Sequence, residues 1–231
     1  GIKAEFEAEG SDVFDIARLR IITKSNNTKL HVKIGGVEAK NDIYQCISLG
    51  VDGIISPMVE TEFGLVKFLE TIDGLKLKKK PLLTINIETR TGFENIEKIL
   101  NRAKGKIDNI TIGRSDFSSS YLNQKINQNS NIINNAIINI SKKIKKTNLK
   151  LTVGGGIDKK SIDNFKKMKI WKYVDKLETR KVILPTKQML KNSALESCLN
   201  FETDYIINKK EDADFKIQAE VNRLSNLKTR K

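Results

Sequence analysis

Long hydrophobic runs are missing from this chain. No segment approaches the roughly 20 apolar residues that cross a bilayer, and no signal-peptide pattern opens it. Membrane insertion and secretion are therefore not expected, and a cytoplasmic setting is. Cysteine is scarce: Cys46 and Cys198 are the two among 231 residues. They sit far apart in helical patterns and read as buried thiols in a reducing compartment, not as a disulfide framework. Aromatic residues make up 6%, with few of them interleaved among the basic residues. His31 is the only histidine and reads as a hydrogen-bonded interior residue.

Charge of one sign is in excess. The formal net charge is +14 and the pI about 9.6, a balance that suits a polyanionic partner. The lysines are nevertheless dispersed, with short clusters at Lys78 to Lys80 and Lys142 to Lys146. In a chain rich in Lys, Asn and Ile throughout, this favours compositional drift over a nucleic-acid surface, and no nucleic-acid partner is expected.

What is present is alternation. Strand candidates and helix candidates follow each other along the chain, which predicts βα units and a parallel sheet. The first strand spans Ile2 to Glu9, with Ile2, Ala4, Phe6 and Ala8 on one face and Lys3, Glu5, Glu7 and Glu9 on the other. Further strands fall at 29–34, 53–58, 82–87, 109–113, 150–154 and 172–183. Helices fall at 11–24, 38–49, 59–71, 93–103 and 161–169, and two more, 188–207 and 213–227, close the chain. Ile133, Ile137, Ile140 and Ile144 form a helical stripe within the long connection 118–147. Seven strands are clear and an eighth is not obvious. The length suits a TIM-type (β/α)8 barrel, expected as a single α/β domain over 1–231 with 187–231 as a C-terminal helical segment. In such a barrel the charged face of the first strand points inward, near the mouth.

Two carboxylates mark the centre of this pattern. Glu88 closes the strand 82–87 and Asp116 lies just past the strand 109–113. Consecutive parallel strands bring both to the C-terminal edge, where α/β folds build their sites. Two carboxylates with open water positions suit Mg²⁺. The run Gly154-Gly155-Gly156 reads either as an anion cradle made of backbone amides or as a tight turn.

The segments GIISPMVET (53–61), INIET (85–89) and IGRSDFS (112–118) resemble the HpcH/HpaI aldolase and citrate lyase β-subunit family of pyruvate-binding barrels. The likeness spans roughly Ile2 to Gly156. It implies a Mg²⁺- or Mn²⁺-dependent carbon–carbon lyase acting on a 2-oxo acid or an acyl-CoA through a metal-stabilised enolate, and a homo-oligomer. By position, Glu88 and Asp116 match the metal ligands, and Gly113, Arg114 and Ser115 match a loop that meets the substrate carboxylate. Pro57 joins them as a substrate-binding residue. Lys33 stands where the family has a strand-end arginine; it keeps the charge and loses the fork. Arg114 is expected to add electrostatic stabilisation. The family's early histidine has no counterpart in Glu7-Ala8-Glu9-Gly10, so Glu7, with Glu5 and Glu9 beside it, is the expected base. The absent histidine and the Lys33 substitution leave a second reading: a non-catalytic barrel that binds polyanions through its basic surface.

Overall fold

The computed structural model describes residues 1–123 and 125–228. Strands and helices alternate: β1 (Ile2–Glu5), α1 (Val13–Ser25), β2 (Leu30–Lys33), α2 (Lys40–Ser48), β3 (Gly53–Ser56), α3 (Glu62–Gly74), β4 (Leu82–Ile87), α4 (Arg90–Glu94) and α5 (Ile96–Ala103). The second half continues with β5 (Asn109–Gly113), α6 (Arg114–Ser119), α7 (Asn131–Ile144), β6 (Lys150–Gly154), α8 (Lys159–Lys167), β7 (Lys176–Glu178), β8 (Ile183–Pro185), α9 (Thr186–Met189) and α10 (Ala194–Lys228).

The sheet runs in sequence order from β1 to β8. β1 to β7 are parallel neighbours, and β7 pairs with β8 antiparallel. Val182 bridges back to Ile2, and the Lys3 amide donates to the Lys181 carbonyl at 2.8 Å. The result is an eight-stranded TIM-type α/β barrel whose last strand is reversed. The reason is length: the residues from Thr179 to Val182 make a tight turn, with the Thr179 amide on the Val182 carbonyl, too short for the crossover a parallel neighbour needs. The expected single strand 172–183 is thus a short 3₁₀ turn followed by a hairpin, and the missing eighth strand is its second arm.

Local chemistry explains the frame. Asp12 and Asp15 form a reciprocal cap that starts α1, while Thr61, Thr89 and Asp158 cap α3, α4 and α8 through their side-chain oxygens. Just before three of the strands, an aspartate stitches the sheet edge. Asp52, Asp108 and Asp175 accept from the amides of Leu30, Leu83 and Leu151 at 2.8–2.9 Å, and donate their own amides to the same leucines' carbonyls. Outward strand residues such as Leu30, Val32, Ile85, Ile110 and Val153 pack with the helices into one core. The stripe Ile133, Ile137, Ile140 and Ile144 lies within it.

Other boundaries differ from expectation. β1 ends at Glu5, and residues 6–10 form a bend and turn. The helix placed at 93–103 divides into α4 and α5 around Asn95. The two closing helices are one, α10. Its first half returns to the barrel, with Cys198 buried and Lys209 paired to Asp15 of α1 at 2.8 Å. Both cysteines are free and buried.

Candidate active site

The alternation of β1 puts Lys3 and Glu5 inside the barrel, where neither charge can be left alone. Lys3 Nζ lies 3.1 Å from Glu5 Oε1 and 2.9 Å from Glu178 Oε1 of β7. The other oxygen of Glu5 receives Lys33 Nζ at 3.1 Å and Arg180 at 3.4 Å. Burial alone would push the Glu5 carboxyl up, but Lys3 and Lys33 outweigh it and hold it below its ordinary value. Glu5 is therefore a fixed anion.

This network forms one wall of a cavity of about 420 Å³ at the C-terminal mouth of the barrel. The facing wall carries Asn86, Glu88, Gly113, Ser115 and Asp116, and α10 roofs it with Leu199 and Glu202. Glu88 is 3% exposed. Its Oε1 accepts the Met58 amide at 3.0 Å and its Oε2 accepts Asn86 Nδ2 at 3.1 Å. Burial pushes the Glu88 carboxyl above its ordinary value, and the charge of Asp116 adds to this against the Met58 amide, Lys33 and Asn86. Asp116 sits in the first turn of α6, not on the strand, and is exposed. The two carboxylates are thus brought together, and among the described residues no cation forms an ion pair with either.

Some expected residues do not reach this cavity. Arg114 is wholly buried and points into the wall between β5 and β6. Its guanidinium donates to the carbonyls of Gly154 at 3.1 Å, Gly155 at 2.9 Å and Gln128 at 3.1 Å, and to Ser161 Oγ at 3.2 Å. It stacks over Phe165. Arg114 is a clamp, and its expected charge-stabilising role is corrected. The Gly154-Gly155-Gly156 run is accordingly a turn whose carbonyls face a cation. Gly155 has φ +81°, and a Cβ there would lie 2.5 Å from the amides of Arg114 and Ser115, so no other residue fits. Glu7 is also corrected: the early end of β1 leaves it exposed in the turn, beside Gly35. Glu9 is committed to Lys181, at 2.5 Å. Pro57 is buried and does not line the cavity, and its neighbour Met58, at φ +50°, presents the amide to Glu88. Lys33, Gly113 and Ser115 do line the cavity.

Sequence reasoning missed Glu202 and Thr179, and gave Glu178 and Arg180 no part in a site. Strand alternation already placed Lys3 with Glu5; no local signal announces a residue delivered by α10.

A metal implied by this chemistry would find Glu88 and Asp116, with Asn86 Oδ1 beside them, buried and without a hydrogen-bond partner. No group of three or more His, Cys, Asp or Glu side chains able to hold an ion exists among the described residues. The donors fit a hard ion that keeps several waters, not a fully protein-coordinated one.

A TIM-type barrel with a charged cavity at the C-terminal mouth has that cavity where barrel enzymes build their active sites. More narrowly, the chain belongs to the HpcH/HpaI aldolase/citrate lyase family, whose sequence profile matches residues 5–159. Among solved structures it is similar to an HpcH/HpaI aldolase from Desulfitobacterium hafniense DCB-2, at 12% identity and TM-score 0.62, over 88% of this chain and 82% of that one. A citrate lyase from Burkholderia xenovorans LB400 is similar at 11% identity and TM-score 0.61, over 76% and 63%. RipC from Yersinia pestis is similar at 15% identity and TM-score 0.57, over 84% and 90%. At these identities the likeness shows the fold. No curated protein matches. The family supports lyase chemistry of the aldolase/citrate lyase kind. Among the described residues no helix is long and apolar enough to cross a membrane.

Proposed function

We propose that this protein is a metal-dependent carbon–carbon lyase acting on a small 2-oxo acid or an acyl-CoA, with Mg²⁺ or Mn²⁺ held by Glu88 and Asp116. The observation that carries the reading is the convergence of these two carboxylates on one cavity, with no ion pair to either among the described residues. When bound, the ion would act as a Lewis acid on a carbonyl oxygen. Gly113 and Ser115 shape the floor on which a carboxylate group rests. Lys33, paired to Glu5 and facing the same cavity, contributes positive charge where negative charge develops. The oxygens of Glu5 are engaged by Lys3, Lys33 and Arg180, and Oε2 of Glu9 by Lys181, which commits both carboxylates to ion pairs in place of proton transfer. Glu202, roofing the cavity with no ion-pair partner among the described residues, takes the proton-accepting role. The carboxylate-lined cavity favours this reading over a polyanion-binding barrel.

The test is binding of pyruvate and oxaloacetate with and without Mg²⁺ or Mn²⁺. Glu88→Ala and Asp116→Ala should abolish metal-dependent binding while the circular dichroism and melting temperature stay close to the parent's. If both variants bind as the parent does, the assignment is wrong.

A further inference from the structure

The opposite mouth of the barrel holds a second cavity, of about 620 Å³. It lies among the first residues of the strands, far along the barrel axis from Glu88: Leu82, Asn109, Lys150 and Lys176 each open a strand. Lys104, Lys146, Lys150 and Lys176 line it against the single carboxylate of Asp108, which already accepts the Leu83 amide. Lys150 is paired to Asp175 at 3.1 Å; Lys176, half-buried, has no ion pair among the described residues.

His31 closes the inner end. It is 8% exposed, it lines the cavity, and among the described residues its imidazole makes no hydrogen bond, contrary to the expected bonded interior residue. Gly53 makes room for it, since a Cβ there would stand 2.2 Å from Nδ1. His31 lines the cavity without a partner for its ring among the described residues, so a ligand entering from this mouth can reach it. Thr84, also buried and lining the cavity, likewise offers a hydroxyl with no hydrogen-bond partner among the described residues. The groups acting on His31 are mostly positive: Lys176, the Gly1 ammonium and Lys29, with Asp52 opposed, and Asp52 is itself bound to Arg20 at 2.7 Å.

We propose that this N-terminal mouth binds a phosphate group, free or carried by a small monoester, through Lys176, Thr84 and His31. The three donors come from β7, β4 and β2 and approach from different sides, which suits a tetrahedral oxyanion. No guanidinium lines the cavity to make the planar two-point contact that favours a carboxylate. The volume exceeds that of phosphate alone and leaves room for an organic part. This site shares no residue with the Glu88–Asp116 cavity, so either assignment stands if the other fails.

The sole histidine is its own probe. Inorganic phosphate and glycerol phosphate are titrated into the whole protein against sodium chloride at matched ionic strength, with the imidazole read by NMR. The expected result is a saturable shift of His31 and a rise in its pKa with one or both phosphates; tighter binding of glycerol phosphate assigns the cavity to a monoester. Lys176→Ala should weaken the apparent affinity about tenfold. Lys146→Ala, at the exposed rim, should weaken it about twofold and serves if the first variant does not fold. A shift that never saturates and follows ionic strength alone overturns the proposal, as does saturable binding that both folded variants leave unchanged.

Discussion

Gly113, the last residue of β5, and Glu88, just past the end of β4, occupy one space: a Cβ on Gly113 would lie 2.4 Å from Glu88 Oε2 and 2.9 Å from Glu88 Cβ. The backbone of Gly113 is ordinary, with φ −87°, so the demand is steric and not conformational. Gly113→Ala should therefore displace the Glu88 carboxylate. The expected cost is about 1–3 kcal/mol of stability from overpacking, with metal-dependent ligand binding weakened at least roughly tenfold because ligand geometry tolerates little error. Urea midpoints and Mn²⁺ titration check both parts. Unchanged metal binding would show that Glu88 does not hold the ion in this orientation.

Glu202 reaches the mouth from α10 and is free of ion pairs among the described residues. Glu202→Gln keeps the shape and removes the base. Pyruvate methyl-proton exchange into D₂O, followed by NMR, should slow roughly 100-fold, with metal-dependent pyruvate binding within about twofold of the parent. Equal exchange rates in the two proteins would dismiss Glu202 as the proton acceptor.

Arg114 is the largest fully buried side chain among the described residues. Arg114→Met would leave the carbonyls of Gly154 and Gly155 without their donor in the wall between β5 and β6. Stability should fall by on the order of 3 kcal/mol, read as a lower urea midpoint at unchanged slope. Arg114→Lys should recover little of it, since an ammonium cannot reproduce the fork. A variant of full stability that no longer binds substrate would instead put the guanidinium in the active site.

Burial, reinforced by Lys176, pushes the His31 imidazole down to about 4, from about 6.5 in an unfolded chain. The folded state holds the ring neutral while the unfolded state takes up a proton. Stability from this group is present above about pH 6.5 and drains away as pH falls from there toward 4. His31→Gln should flatten the dependence of the unfolding free energy on pH across that window. NMR titration of the single imidazole checks the cause; a midpoint near 6.5 in phosphate-free buffer would remove it.

Much of this barrel is readable in its residues. The inward charges of β1, the apolar outward faces, the isoleucine stripe of α7 and the capping residues follow from period and composition, because these depend on neighbours a few positions apart. That Glu88 and Asp116 share one edge of the sheet was legible for the same reason: each follows a strand, and parallel strands share an edge. Glu7 was misassigned because strand alternation carries no mark of where pairing stops, and β1 stops at Glu5. The eighth strand was hidden because three residues in a hairpin leave almost no periodic trace.

Side-chain direction at the loops was decided only in three dimensions. Arg114 and Ser115 are adjacent in the chain, yet one faces the cavity and the other vanishes into the wall, because the carbonyls that claim the guanidinium come from β6 and from residue 128. The same holds for Glu202, brought over the mouth by a helix anchored to α1 through Lys209 and Asp15. Local sequence determined which residues are charged, apolar or turn-forming, since that is chemistry carried within each segment. Tertiary packing decided which of those charges meet, since a buried cation goes to whichever distant oxygens the fold sets within reach.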